Sequence, residues 1–382
     1  MYEFTPAPRF VFMILHRTLL PFFLLTASLP AVPLFIGTNT SKNPASKGIY
    51  RADFDPESGK LTVPELAAEY QNPGFLALHP KRGVLYASGV PKKAFPDGSG
   101  SVAAFGIGES GLKFLGEASS GGKNACHLAV DASGSTVAVA NYGDGKIATI
   151  QLDPNGVPGA LVASISNQGS GPNPSRQEGP HAHGVYFDAE NRHLLVPDLG
   201  LDRVLIYPFE AATSQLGAAL PPLVTAAGAG PRHLAFSPDH KHVYVINELD
   251  NTLLAAEYDK GNFKPLSAVP TLPADFQGVN TTAEVEVHPN GRFVYGSNRG
   301  HDSIVVYQRD PATGALKWVQ HVACGGKTPR HFKIDPSGKW LLCAHQDSNT
   351  ISVHSLDPQS GRLGAASAAV EAPAPICLLF VE

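Results

Sequence analysis

The chain has 382 residues, a formal net charge of −4 and only 16% charged residues, alongside 38 glycines and 33 prolines. That turn-rich, weakly charged composition fits an all-β fold and excludes a helical bundle or a disordered chain. The lack of a basic excess argues against a nucleic-acid partner.

At the N-terminus, Arg9 and Arg17 flank a short apolar run, and "LLPFFLLTAS" (Leu19 to Ser28) then leads into small residues. The pattern is that of a secretory signal peptide over residues 1–31, cut between Ala27 and Ala31. The apolar run is short for a bilayer span and Arg17 interrupts it, so no membrane span is expected after removal. The expected location is periplasmic or secreted; a mis-assigned start ahead of a cytoplasmic protein is the alternative. The four cysteines, Cys126, Cys324, Cys343 and Cys377, lie scattered with no CxxC. Two disulfides are possible after export, but separate buried thiols are the expectation.

From residue 32 on, two repeats run together. One comprises "NPGFLALHPKRGVLYAS" from Asn72, "NACHLAVDASGSTVAVANY" from Asn124, "HAHGVYFDAENRHLLVPDL" from His181, "GPRHLAFSPDHKHVYVINEL" from Gly230, "TTAEVEVHPNGRFVYGSNR" from Thr281 and "TPRHFKIDPSGKWLLCAHQ" from Thr328. Each reads as an alternating strand, a polar turn and an apolar strand. The turns begin at His79, Asp131, Asp188, Ser237, His288 and Asp335, about 50 residues apart, the period of propeller blades. The aspartates at those turns read as turn formers. The second repeat, seen in "YRADFDPESGKL" and "IVVYQRDPATGAL", is a hairpin around D-P-x-x-G, in which proline presets φ and glycine supplies positive φ. There are seven hairpins against six inner units. The missing inner strand is "PAPICLLFVE" at the C-terminus, which completes the blade begun by "PLFIGTNT" at Pro33 and closes the ring without open edges. The predicted architecture is all-β: a seven-bladed β-propeller of four-stranded antiparallel blades over residues 32–382, with no second domain. A closed ring of this kind is expected to be a monomer.

The first strand of each propeller blade lines the central channel, so equivalent positions form rings. Five before the turn residue stand Gly74, Cys126, His183, Arg232, Ala283 and Arg330; one later come Phe75, His127, Gly184, His233, Glu284 and His331. Ten after it stand Gly89, Asn141, Asp198, Asn247, Asn298 and His345, followed by Val90, Tyr142, Leu199, Glu248, Arg299 and Gln346. Both polar columns converge on one mouth of the channel, a concave place for a small ligand. The candidate catalytic set is His183, Arg232, Glu248 and Arg299, with His181, Glu284, Arg330 and His331 as substrate-binding neighbours. Two arginines beside one glutamate keep it ionised and suit an anionic substrate or a developing oxyanion. A carboxylate or imidazole supplies acid–base chemistry, enough to open or close a lactone without a cofactor. His233, His331 and His127 are expected to hydrogen-bond between blades. A metal held by His181, His183 and Glu284 is weakly supported, because no helical His pair or Cys cluster accompanies it. The "GGK" at Gly121 and again at Gly325 lacks the rest of a phosphate loop.

The phrases "GPRHLAFSPDHKHVYVINEL", "VEVHPNGRFVYGSNRGHDSIVVY" and "TPRHFKIDPSGKWLLCAHQDSNTISVH" resemble the lactonase family of seven-bladed propellers over nearly the whole chain after residue 32. That family includes propeller-type 6-phosphogluconolactonases and fungal carboxy-cis,cis-muconate lactonizing enzymes. The resemblance implies a site of one His, the Arg of the P-R-H segment, the Glu of N-E and the Arg of N-R-G. Carried over by motif these are His183 (or His181, since H-A-H leaves the choice open), Arg232, Glu248 and Arg299. It also implies a small anionic or sugar lactone as substrate. Three functions stand: hydrolysis of a sugar lactone, lactone formation of the muconate-cyclase type, and a non-catalytic exported propeller that binds a ligand or protein.

Overall fold

The computed structural model describes residues 1–8, 30–109 and 111–381; most of the segment expected to be a signal peptide, residues 9–29, lies outside them. The described residues form seven antiparallel sheets in a ring. Blade 1 pairs Val32–Thr38 with Gly48–Asp55 on its outer side and with Pro375–Phe380 on its inner side. Leu34, Phe35 and Ile36 stand opposite Phe380, Leu379 and Leu378, so the two ends of the ring are zipped by one apolar ladder. Blades 2 to 7 follow with inner strands at Leu76–Leu78, Ala125–Val130, Tyr186–Phe187, Pro231–Phe236, Thr281–Val287 and Pro329–Ile334. The inner strand of blade 4 is two residues long because the chain ahead of it departs from the ladder. The bridge from Ala182 to Asp198, with His183 N–H donating to Pro197 O at 2.9 Å and Leu199 N–H to His181 O at 3.0 Å, carries the pairing on to the mouth.

The core is not one cluster. It is divided into seven, one at each interface between adjacent blades. Successive side chains of a strand point to opposite faces of its sheet, so a mid-blade strand feeds two interfaces. Leu194 packs toward blade 3 while Leu195 packs toward blade 5. Both faces being covered explains why the second strands read as continuous apolar runs and are buried throughout in blades 2, 3 and 5.

The interfaces also carry polar locks. Tyr86 O–H donates to Gly156 O at 2.7 Å, Tyr244 to Gly314 O at 3.0 Å and Tyr295 to Gly361 O at 2.9 Å. In each case a second-strand tyrosine reaches the glycine of the next blade's outer hairpin turn. The turn aspartates behave as the sequence suggests: Asp131 Oδ1 accepts the N–H of both Ser135 and Thr136 at 2.8 Å. No helix among the described residues is long and apolar enough to cross a membrane.

Candidate active site

One mouth of the channel holds a cavity of about 370 Å³, a size common for small-ligand sites. Gly74, Cys126, His183, Arg232, Arg330 and Ile376 line it, all from the same ring of inner-strand positions. Below that ring the channel is plugged by the next one. Phe75 stacks on His127 with ring centroids 3.8 Å apart, and the His233 and His331 rings stand at 5.9 and 5.8 Å from Phe75. These histidines tie blades together: His127 Nδ1 accepts from Val185 N–H and His331 Nδ1 from Leu378 N–H, each at 3.3 Å.

Three of the predicted residues meet in one buried ion cluster. Glu248 Oε2 lies 2.8 Å from Arg299 Nη2 and 3.1 Å from Arg232 Nε. Its other oxygen accepts from Arg176 Nη2 at 2.6 Å. Burial alone would raise the Glu248 carboxyl, but Arg299, then Arg232 and Arg176, outweigh it and hold the group at about 2. Arg232 is braced further by donating from Nη1 to Ala283 O at 2.7 Å, and Arg299 by donating to Thr282 O at 2.7 Å. Neither Glu248 nor Arg299 lines the cavity; they stand behind Arg232 and orient it.

Arg176 was not singled out from sequence. It comes from the long loop before blade 4, where pattern reading has no periodicity to use. The loop is pinned by the buried Gln177, whose Nε2 donates to Leu199 O at 2.9 Å and Asp202 Oδ1 at 2.7 Å. At Gly200 the loop's Gly179 carbonyl comes so near that a Cβ could not be accommodated.

His183 is buried and lines the cavity; its Nδ1 has no hydrogen-bond partner among the described residues. Burial first, then the charge of Arg232, pulls the imidazole well below its ordinary range, so it is neutral at pH 7. Arg330 also lines the cavity and makes no ion pair or hydrogen bond among the described residues. Burial, with Arg232 and Arg299 nearby, lowers its guanidinium to about 9, the mark of a cation lacking a counter-ion. The Cys126 thiol at the same mouth is pushed up to about 12 by burial, so it is no thiolate nucleophile.

Two expected neighbours stand elsewhere. His181 does not reach the cavity lining: its Nδ1 is 2.8 Å from Tyr142 O, its Nε2 is 3.0 Å from Glu178 Oε1, and its ring stacks on Tyr142. With both nitrogens taken it cannot pair with His183 on a common ligand. Glu284 sits on the far side of the histidine layer, 3.0 Å from His233 Nδ1 and 3.4 Å from His331 Nε2, facing a cavity at the opposite mouth. The metal set His181, His183 and Glu284 is therefore not assembled. His331 lies at the base of the mouth cavity.

Residues 33–380 match the family described as lactonase, 7-bladed beta-propeller. The chain belongs to this lactonase family. Among the relatives of this lactonase is a 6-phosphogluconolactonase of Bacillus subtilis strain 168, 34% identical over 353 residues, 91% of this chain and 98% of the relative. The lactonase fold is shared with the periplasmic gluconolactonase of Pseudomonas aeruginosa (TM-score 0.86, 29% identity, 92% of this chain and 99% of that one). A putative 6-phosphogluconolactonase of Bacteroides fragilis superposes with a TM-score of 0.84 at 29% identity, over 94% of the lactonase and 99% of its own chain.

Proposed function

We propose that the mouth cavity hydrolyses a sugar lactone carrying an anionic group, a 6-phosphogluconolactone-like substrate. The observation that carries this reading is a neutral, partly unpartnered His183 beside an uncompensated Arg330 in one cavity. His183 takes a proton from water as the water oxygen adds to the lactone carbonyl carbon. Arg232, held rigid by Glu248 and Ala283 O, stabilises the oxyanion that forms. The tetrahedral species then collapses, the ring C–O bond breaks, and the imidazolium returns its proton to the leaving oxygen. The product is an open hydroxy-carboxylate. Glu248, Arg299 and Arg176 are positioning residues in this scheme, and Arg330 holds the anionic substituent.

The test is hydrolysis of a panel of phosphorylated and unphosphorylated sugar lactones and a carboxymuconate, by the wild type and Arg330→Ala. We expect kcat/KM for the phosphorylated lactone to fall ~10- to 100-fold in the variant, the value of one charge-assisted contact, with the unphosphorylated lactone little affected. Equal loss on both would remove Arg330 from the anion site. Turnover of the carboxymuconate alone would assign lactone formation instead.

We further propose that residues 1–31 are removed on export, a reading supported by the N-terminal pattern and by the likeness to the periplasmic gluconolactonase of Pseudomonas aeruginosa. The mass of the mature chain decides it. A chain beginning at Met1 would retract export.

A further inference from the structure

The two "GGK" segments occupy the same place in two blades. Ser120-Gly121-Gly122-Lys123 leads into blade 3, and Cys324-Gly325-Gly326-Lys327 leads into blade 7. In each blade this turn folds over the end of the second strand, Thr136–Asn141 in one and Trp340–His345 in the other. A Cβ on Gly122 would clash with the Asn141 side chain, and one on Gly326 with the His345 ring, so the backbone lies directly on that side chain in both. The shared frame brings three positions together. Blade 3 fills them with Ser120, Val139 and Asn141; blade 7 fills all three with metal-ligating types, Cys324, Cys343 and His345.

In blade 7 the three donor atoms lie within 4.8 Å of one another, and all three residues are fully buried. The cysteines are free thiols. The hydrogen bonding has been rearranged in a way that leaves the imidazole available. In blade 3, Asn141 Nδ2 donates to Ser120 O at 2.9 Å. In blade 7 the corresponding carbonyl, Cys324 O, is taken by Ser352 Oγ at 2.6 Å and by His354 Nε2 at 3.2 Å. His345 Nδ1 is 3.3 Å from Thr350 Oγ1, and its Nε2 is buried with no partner among the described residues. An imidazole packed beside two thiols, with one nitrogen near a hydroxyl and the other buried and unpartnered, carries the features of a metal-binding histidine and its supporting hydrogen bond.

We propose that Cys324, Cys343 and His345 bind one thiophilic d10 cation, with Zn(II) as the ion whose charge two thiolates cancel. Soft sulfur donors with an imidazole select such ions over hard ones, and a neutral cluster is the form that tolerates full burial. The Gly326 carbonyl, 3.2 Å from Cys324 Sγ, is the nearest oxygen for a fourth position. Binding releases the two thiol protons and forms two metal–sulfur bonds and one metal–nitrogen bond, with no change of oxidation state. The site lies apart from the lactone cavity and belongs to the stability of blade 7.

Untagged protein purified without chelator, from cells grown with added zinc and separately with added cobalt(II), tests the proposal. The expected result is about one ion per chain, with thiolate-to-cobalt charge-transfer absorption in the cobalt-grown sample. The variants His345→Asn and Cys343→Val/His345→Asn carry the residues that blade 3 uses, and should lose the ion and the absorption while keeping lactone hydrolysis. Wild-type protein with no bound ion, or variants that bind as much as wild type, would overturn the proposal. So would an intact mass short by two hydrogens with the pair unreactive to alkylation after unfolding, which would make the pair a disulfide.

Discussion

Glu248 and His183 are both buried at the mouth, yet their surroundings give them opposite capacities. Three arginines hold Glu248 as a carboxylate far below any working pH, so it cannot serve as a proton acceptor. Its worth lies in charge balance. Because its pKa is depressed on folding, its contribution is fully present above about 4.5 and is lost only as pH falls through about 2. Glu248→Gln leaves three guanidiniums facing one another, and at neutral pH we expect it to lower stability by about 3–5 kcal/mol, read by chemical denaturation. A change under about 1 kcal/mol would mean that the cluster is solvent-screened. At this scale much was legible in the sequence. The inner-strand column placed His183, Arg232 and Arg330 on one ring from repeat alignment alone, and the next column put Glu248 and Arg299 near them. Arg176 was not legible, since it reaches the cluster from an aperiodic loop. Nor was it visible that His181 spends both nitrogens on Tyr142 and Glu178, because that pairing depends on how the loop folds back.

Blade 4 differs from its neighbours at the end of its second strand. Blades 3, 5 and 6 place Asn141, Asn247 and Asn298 there, whereas blade 4 has Asp198. Asp198 Oδ1 accepts from His181 N–H at 2.8 Å and Gly200 N–H at 3.0 Å, while Oδ2 is buried without a partner. Burial pushes the carboxyl up to about 6, against the pull of those amides. A carboxyl raised on folding stabilises most below its unfolded value, and that contribution is lost as pH rises through about 6. Asp198→Asn keeps the acceptor and removes the buried charge. We expect a gain of ~1–3 kcal/mol at pH 8, shrinking as pH falls through about 6, measured by thermal unfolding across that range. A loss at pH 8 would show that the carboxylate is needed to hold the backbone at His181 and Gly200. The element pattern itself was readable because alternating strands and outer hairpins recur seven times, three of the hairpins around D-P-x-x-G. The proximity of Cys324 and Cys343 was hidden, since it comes from one blade's turn folding over the next strand rather than from a local motif.

The ring as a whole stores four neutral histidines on its axis, His127, His183, His233 and His331, each pulled down by burial, His331 to about 3. On unfolding they take up protons below their ordinary value of 6.5. Their stabilisation is therefore present above that pH and erodes below it, by about 1.4 kcal/mol per pH unit per histidine. Thermal unfolding should show a steep fall in midpoint between pH 6.5 and 4.5; a flat profile would mean that the axis is hydrated and the imidazoles already charged. The N- and C-terminal closure was legible from counting hairpins against inner units, whereas the division of the core into seven interfaces was not, because it depends on which blade each strand face packs against. On the same axis stands His183, for which we propose acid–base catalysis of lactone opening in the mouth cavity. The most direct measurement is kcat/KM for sugar-lactone hydrolysis by wild type and His183→Ala across pH 5 to 8, corrected for spontaneous hydrolysis, with unfolding midpoints of both. A loss of ~10²- to 10⁴-fold in the folded variant is expected, with the wild-type acid limb lying below the ordinary histidine range. A folded His183→Ala with wild-type activity would contradict it.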